Sequence, residues 1–137
     1  MLETDLDRTS ESDAMTVLHE KWNCTFRKFG KLSPIDWSMH KDGRLVAVAE
    51  FKKRDRDRNS HKEVYLNLQK WMSLTFVGIG LEVPAYFFVQ FNDQLCYVDI
   101  SKIDASKHRV CGRTDRGREA DFQPVIKIDV DNLLRIT

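Results

Sequence analysis

Cysteine is scarce in this 137-residue chain: Cys24, Cys96 and Cys111 are the only three, and no Cys-x-x-Cys pair occurs. An odd number of widely spaced cysteines excludes a disulfide framework and a thiolate zinc site. It points to a reducing, cytoplasmic compartment. Cys24 and Cys96 lie in apolar runs and read as small core side chains. The four histidines, His19, His40, His61 and His108, have no metal-ligand spacing among them. There is no glycine-rich phosphate loop, and no spacing supports a Ser-His-Asp arrangement. Long hydrophobic runs are missing too. The apolar stretch from Trp71 to Phe91 is interrupted by Glu82 and Pro84, so it reads as a helix end followed by a buried strand, with no membrane span. Met1 to Ser10 is acidic and polar, unlike a signal peptide. Without repeats, low-complexity tracts or a separating linker, the expectation is a single domain over 1–137.

The net charge is only +1, which excludes a general polycation. The basic residues are nonetheless grouped. Lys52 to Lys62 holds six Lys and Arg against two Asp, and Lys107 to Arg118 holds five against one. Such grouping fits a directed phosphate-binding surface, and it also fits two solvated loops.

Periodicity gives the order of elements. After a loose arm of nine residues, Ser10-x-x-Asp13 resembles a capping box, and Ala14, Met15, Leu18 and Trp22 fall on one helical stripe. Strands are expected at Cys24–Phe29, Pro34–His40 and Arg44–Lys52, with a hairpin signal at Asp42-Gly43 between the last two. The third strand is apolar on both faces through Leu45–Ala49, so both faces should be covered. Ser60-x-x-Glu63 reads as a second capping box. It would open a helix with Val64, Leu68, Trp71, Met72 and Thr75 inward and Gly78 and Gly80 at its end. Pro84–Phe91 and Leu95–Ile100 read as paired strands around Asn92-Asp93. Beyond Ser101 only Val125–Val130 has strand character, and Asp131 caps a short final turn. This is an α/β domain with a mixed central sheet flanked by helices.

The chemistry-bearing pattern is Asp36, thirteen intervening residues, then Glu50-Phe51-Lys52. Hydrolysing a phosphodiester calls for a divalent cation, and hard cations take carboxylate oxygens from the protein with water and phosphate completing the shell. Two carboxylates on adjacent strands supply them. A lysine two positions after the second points to the same strand face, where it can neutralise developing phosphate charge or orient a water. Register is the test. A two-residue turn at Asp42-Gly43 would set Asp36 opposite Ala49 and send Glu50 to the other face. A three-residue loop, Lys41-Asp42-Gly43, would set Asp36 opposite Val48 and diagonal to Glu50, so the longer loop with a bulge is expected. On the first helix, Glu11 extends the inward stripe and Glu20 lies off it. Glu11 therefore stands as a metal or metal-water contact, or as a first-turn acid complementing the helix dipole. Trp37 should point away from the site into the core.

These residues resemble the PD-(D/E)XK nuclease superfamily, and most of all the small phage-type and Holliday-junction-resolvase-like members. Pro34-Ile35-Asp36 is similar to the first element with one residue inserted, and Glu50-Phe51-Lys52 matches the second. The resemblance spans about residues 10–100 and leaves 101–137 as a basic C-terminal extension. It implies a restriction-endonuclease-like αβββαβ core. It also implies a Mg2+- or Mn2+-dependent deoxyribonuclease with metal on Asp36, Glu50 and the Phe51 carbonyl, Lys52 as catalytic lysine, and a polar residue on the second helix in support. Tyr65, Gln69 and Lys70 are candidates for that support, with Lys70 preferred.

DNA is the implied partner, with branched or nicked forms as candidate substrates. Lys53, Arg54, Arg56, Arg58 and Lys62 would border the cleft, and Arg113, Arg116 and Arg118 would form a second arm made adaptable by Gly112 and Gly117. Pro84–Phe91 could supply the edge for a homodimer. The alternative is a non-catalytic DNA-binding module on the same fold with vestigial carboxylates. The presence of Asp36, Glu50 and Lys52 together favours the enzyme.

Overall fold

The computed structural model describes residues 5–30, 33, 35–103, 108–111 and 123–137. Helix α1 (Asp5–Trp22) leads to strands β1 (Thr25–Lys28), β2 (Trp37–Lys41) and β3 (Arg44–Lys53). Strand β4 (Glu63–Asn67) runs directly into helix α2 (Leu68–Leu81), followed by β5 (Ala85–Gln90), β6 (Leu95–Asp99), β7 (His108–Cys111), β8 (Gln123–Asp129) and β9 (Leu134–Arg135). The main sheet has the order β1-β2-β3-β5-β6-β9, and a smaller sheet has the order β4-β8-β7. The pairing of β3 with β5 is parallel, and the other pairings of the main sheet are antiparallel. A parallel pair cannot be closed by a tight turn, and the β4–α2 segment is the crossover that joins β3 to β5.

The main sheet separates two cores. On one face Ala14 and Leu18 of α1 pack with Met39, Ala47, Ala49, Phe51 and Phe88. Trp37 lies on this side, its ring edge-on to Phe26 and Phe51, as its place after Asp36 requires. On the other face Leu74 of α2 and the inward residues of the small sheet, Val64, Leu66, Ile126 and Ile128, pack on Val48, Phe87 and Val89. Strand β3 therefore alternates between helices on its two sides, and Cys24 and Cys96 are both buried.

Several expectations are corrected. Helix α1 begins by Asp5, ahead of the Ser10-x-x-Asp13 signal; acidic residues in the preceding turns are compatible with a helix N-terminus. Ser60 does not cap a helix. Its hydroxyl donates to the Asp57 carbonyl (2.7 Å) in a short 3-10 turn, and Glu63–Asn67 is a strand with Val64 and Leu66 buried in alternation, paired to β8. The helix starts five residues later than Glu63, where Asn67 Oδ1 accepts from the N–H groups of Gln69 (2.8 Å) and Lys70 (3.3 Å). Met72, expected inward, is exposed. Gly78 and Gly80 do not end α2. It runs on to a left-handed Glu82 at φ 56°, while a Cβ on Gly78 would stand 3.0 Å from the Val83 carbonyl oxygen, so glycine there lets the chain after α2 pack closely without a backbone shift. The last 3-10 turn, Val130–Asn132, is capped by Asp129 rather than Asp131. The irregular segment after Ser101 contains β7, paired with β8. Strand β5 lies inside the sheet between β3 and β6, so it offers no edge to a second chain.

The expected three-residue loop is absent too. Lys41 pairs with Arg44, and Asp42 (φ 50°) and Gly43 (φ 76°) make a two-residue turn of the type that Asp-Gly favours. Parity is restored farther along. Met39 pairs with Ala47 but His40 with Leu45, so β3 carries an extra residue, Val46, in a β-bulge. Val46 and Ala47 consequently both pack on the α1 side. Beyond the bulge Ser38 pairs with Val48 and Trp37 with Ala49. The next position along, Asp36, comes beside Glu50 rather than Val48.

Candidate active site

Asp36 immediately precedes β2, and its carbonyl accepts from the Phe29 N–H at 2.9 Å, which ties it to the end of β1. Glu50 is on β3, on the face that also carries Val48 and Lys52, and only 1% of its side chain is exposed. Helix α2 approaches this face with its first turn and places Lys70 between the two acids. The Lys70 ammonium is 3.1 Å from Asp36 Oδ1 and 3.6 Å from Glu50 Oε2, and the Lys52 ammonium is 3.8 Å from Glu50 Oε1. The two carboxylate oxygens lie within 3.6 Å of one nitrogen. They therefore share one cation, the Lys70 ammonium. Asp36, Glu50, Lys52 and Lys70, singled out from the sequence, are together.

Burial and repulsion shape the electrostatics. Burial, followed by the adjoining Asp36 carboxyl, pushes Glu50 up to about 8, against the pull of Lys70 and Lys52. For Asp36 burial also acts upward, but hydrogen bonds with Glu50 and Lys70 and the charges of both lysines outweigh it, and its carboxyl titrates below the usual range. Lys70 is held up: burial works against its charge, and the two acids more than compensate. Near neutral pH the pair therefore keeps a proton on Glu50 and a negative charge on Asp36, as expected when two carboxylates share a site.

The donor set suits a hard divalent cation. Glu50 Oε2 is buried and makes no hydrogen bond of ordinary length, with the Lys70 ammonium facing it at 3.6 Å, so it is an incompletely met acceptor in a site of two acids. The Val48 and Arg54 N–H groups donate to Pro84 and Gln90 on the β5 side. Strand alternation then directs the Phe51 N–H and carbonyl the opposite way, toward β2, past the last β2–β3 pair at Trp37–Ala49. Glu11 is half-buried on α1, whose inward stripe lies against the other face of the sheet from Glu50. Among the described residues no group of three or more His, Cys, Asp and Glu comes together, so Glu11 does not complete a triad with Asp36 and Glu50. Pro34 lies outside the described residues.

Beside the acids is a cleft of about 340 Å3 lined by Lys52, Leu66, Asn67, Gln69, Lys70 and Ser73. Leu66 and Ser73 were not singled out from the sequence. Leu66 belongs to the strand mistaken for helix, and a lone serine carries no local signal. Tyr65 is on β4, and its carbonyl accepts from Arg54.

The arginines after β3 serve mainly the scaffold. Arg54 donates to the carbonyls of Lys53 (3.2 Å) and Tyr65 (3.3 Å), and Arg56 to that of Glu63 (2.8 Å). Arg58 donates to Val130 (2.7 Å) and Leu133 (3.0 Å), across the final 3-10 turn, and its N–H meets Asp93 Oδ1 at 2.9 Å. The guanidinium groups of these three, expected to border a DNA cleft, are turned to main-chain carbonyls and so also fasten the scaffold. Lys62 is exposed and Lys53 half-exposed. Arg113, Arg116, Arg118, Gly112 and Gly117 lie outside the described residues.

No described helix is long and apolar enough to cross a membrane. No curated protein sequence matches the chain. The solved structures that match include the Archaeoglobus fulgidus Hjc, described as a Holliday junction resolvase from an archaeal hyperthermophile. The likeness has a TM-score of 0.61 at 16% identity and covers 94% of this chain and 90% of that one. At that identity the likeness establishes the fold: a mixed α/β domain of the resolvase type. The sequence profile of the family described as "Phage putative PDDEXK endonuclease" matches residues 1–136. With nearly the whole chain matched, and with Asp36 and Glu50-x-Lys52 gathered at one end of the sheet, the chain belongs to this family of PD-(D/E)XK phage endonucleases.

Proposed function

We propose that the protein is a divalent-metal-dependent DNA endonuclease that hydrolyses phosphodiester bonds at the Asp36–Glu50 centre, and that it acts on branched or nicked DNA. The observation that carries this reading is the sharing of one ammonium by Asp36 and Glu50 at 3.1 and 3.6 Å, with Lys52 alongside. Mg2+ or Mn2+ held by Asp36, Glu50 and the Phe51 carbonyl would supply the charge that binds the scissile phosphate and eases deprotonation of the attacking water. Glu50 must lose its proton to act as a ligand. Lys52, 37% exposed at the cleft and two residues beyond Glu50 on the same strand face, is positioned to meet the phosphate oxygens and stabilise the negative charge that grows on them. Lys70 orders the carboxylates. The product would carry a 5′-phosphate. Lys53 and Lys62 are the described cations that best suit the flanking backbone.

Preference for a junction draws on the fold shared with a resolvase. The test compares a synthetic four-way junction with a linear duplex of the same arms, in Mg2+, in Mn2+ and in EDTA. Junction cleavage that needs metal, with the duplex cut at least about tenfold more slowly, is expected. Equal cutting of both would remove the branched-DNA reading and leave the nuclease, and cutting undiminished in EDTA would remove the metal.

A further inference from the structure

We propose that Lys70 is the protein's own counter-ion for the metal-binding carboxylates: it holds Asp36 and Glu50 together in the metal-free protein, must give them up to a divalent cation, and then serves the DNA phosphate, so that metal and DNA bind cooperatively. The proposal rests on the metal-centre reading above and assigns Lys70 a positioning role within it.

Three observations carry it. The first is geometric. Among the described residues, Lys70 is the cation that contacts both acids, at 3.1 and 3.6 Å, whereas Lys52 contacts Glu50 alone. A cation bridging both carboxylates at about 2.0–2.6 Å would occupy the space in front of those oxygens. An ammonium held against those same oxygens would be repelled by a divalent cation arriving beside it, so the two compete for one place.

The second is the position of Lys70 in the chain. It is the third residue of α2, where the helix dipole disfavours a positive charge. The helix end is already capped by the Asn67 side chain, which accepts from the Gln69 and Lys70 N–H groups. Helix formation therefore gives no reason for a lysine there, and the two acids opposite it do.

The third is the space available. Lys70 lines the cleft shared with Lys52, Gln69 and Ser73, and its side chain is 30% exposed. Its flexible stem can swing from the carboxylates into this cleft without a shift of α2. A phosphate lying there would meet both ammoniums. Metal arrival pushes Lys70 toward that phosphate, and a phosphate draws Lys70 off the carboxylates. Each ligand thereby favours the other, and the coupling is reciprocal.

The test uses the full chain as wild type, Lys70→Met, Lys70→Gln and Lys70→Arg, with folding checked by circular dichroism and Glu50→Gln as control. Calorimetric titration with Mn2+ alone should show Lys70→Met and Lys70→Gln binding about tenfold tighter than wild type, and Lys70→Arg no tighter. Anisotropy of a labelled four-way junction should show Lys70→Met binding several-fold more weakly than wild type in Ca2+, but within about twofold of it in EDTA, where the carboxylates still hold Lys70. A merely structural lysine would weaken Mn2+ binding or lower DNA affinity equally in both buffers, and either result overturns the proposal. If Mn2+ binds as well to Glu50→Gln as to wild type, or does not bind wild type at all, the metal-centre reading falls and this proposal with it. If Mn2+ binding needs Glu50 but is not tightened by Lys70→Met or Lys70→Gln, the counter-ion alone falls.

Discussion

Glu50 and Arg58 are eight residues apart, both are ionisable groups drawn into the protein, Glu50 fully and Arg58 partly, and the protein treats them oppositely. The Arg58 guanidinium reaches two carbonyls, of Val130 and Leu133, at 2.7 and 3.0 Å, and locks the final 3-10 turn to the loop after β3. Its Nε is left unpaired, but the group as a whole is fixed. Glu50 is 1% exposed, and its nearest cations stand 3.6 and 3.8 Å away, with one oxygen in no hydrogen bond of ordinary length. A buried charge met by close, neutral acceptors is a fastening. A buried acid met loosely and shared with a second acid fits the binding site proposed above. In sequence both belong to the same charge-rich stretch, Glu50 to Lys62, and only the fold separates them.

After loss of the two acids themselves, the largest expected effect is on the site side of this contrast. Lys52→Ala should lower the cleavage rate by about 10^2–10^3-fold while changing junction affinity in Ca2+ only slightly, read from single-turnover kinetics alongside binding. A loss confined to affinity would move Lys52 from the chemistry to the phosphate surface. On the fastening side, Arg58→Ala strands two carbonyls and should cost about 2–4 kcal/mol in urea unfolding, with the rate per folded molecule unchanged. A rate loss at unaltered stability would return Arg58 to the DNA surface.

Stability against pH sharpens the comparison further. The Glu50 carboxyl titrates near 8 in the folded protein and near 4.5 when unfolded. The folded state therefore binds the extra proton between these values, and metal-free stability should fall as pH rises from about 4.5 to 8, by at most about 1.4 kcal/mol per unit. Glu50→Gln should flatten that fall, raising the melting temperature at pH 8 and leaving it unchanged at pH 4. The opposite shift of Asp36 acts only below its usual range and does not cancel the effect in this window. The smallest expected effect is Asn67→Ala, which removes the α2 cap for about 1 kcal/mol.

The order of helix, three strands, helix and two strands, the placing of Asp36 on one face with Glu50-x-Lys52, and the inward Trp37 were legible from periodicity and spacing. The device that brings the acids side by side was not. Asp42-Gly43 favours a two-residue turn locally and makes one, which by itself would send Glu50 to the wrong face. The correction is the bulge at Val46, set by the packing of Val46 and Ala47 together against α1, a tertiary effect with no local signature. Strand β4 escaped for a related reason. Five residues with only Val64 and Leu66 buried give too short an alternation to compete with an apparent capping box, and their pairing partner, β8, lies some sixty residues away.

The central claim is that Asp36 and Glu50 together make the metal-dependent centre. Supercoiled plasmid incubated with wild type, Asp36→Asn and Glu50→Gln in Mg2+ and in Mn2+ tests it most directly. Metal-dependent nicking or linearisation by wild type, reduced by at least about 10^3-fold in each variant, is the predicted result. Cleavage by either variant at the wild-type rate would contradict it.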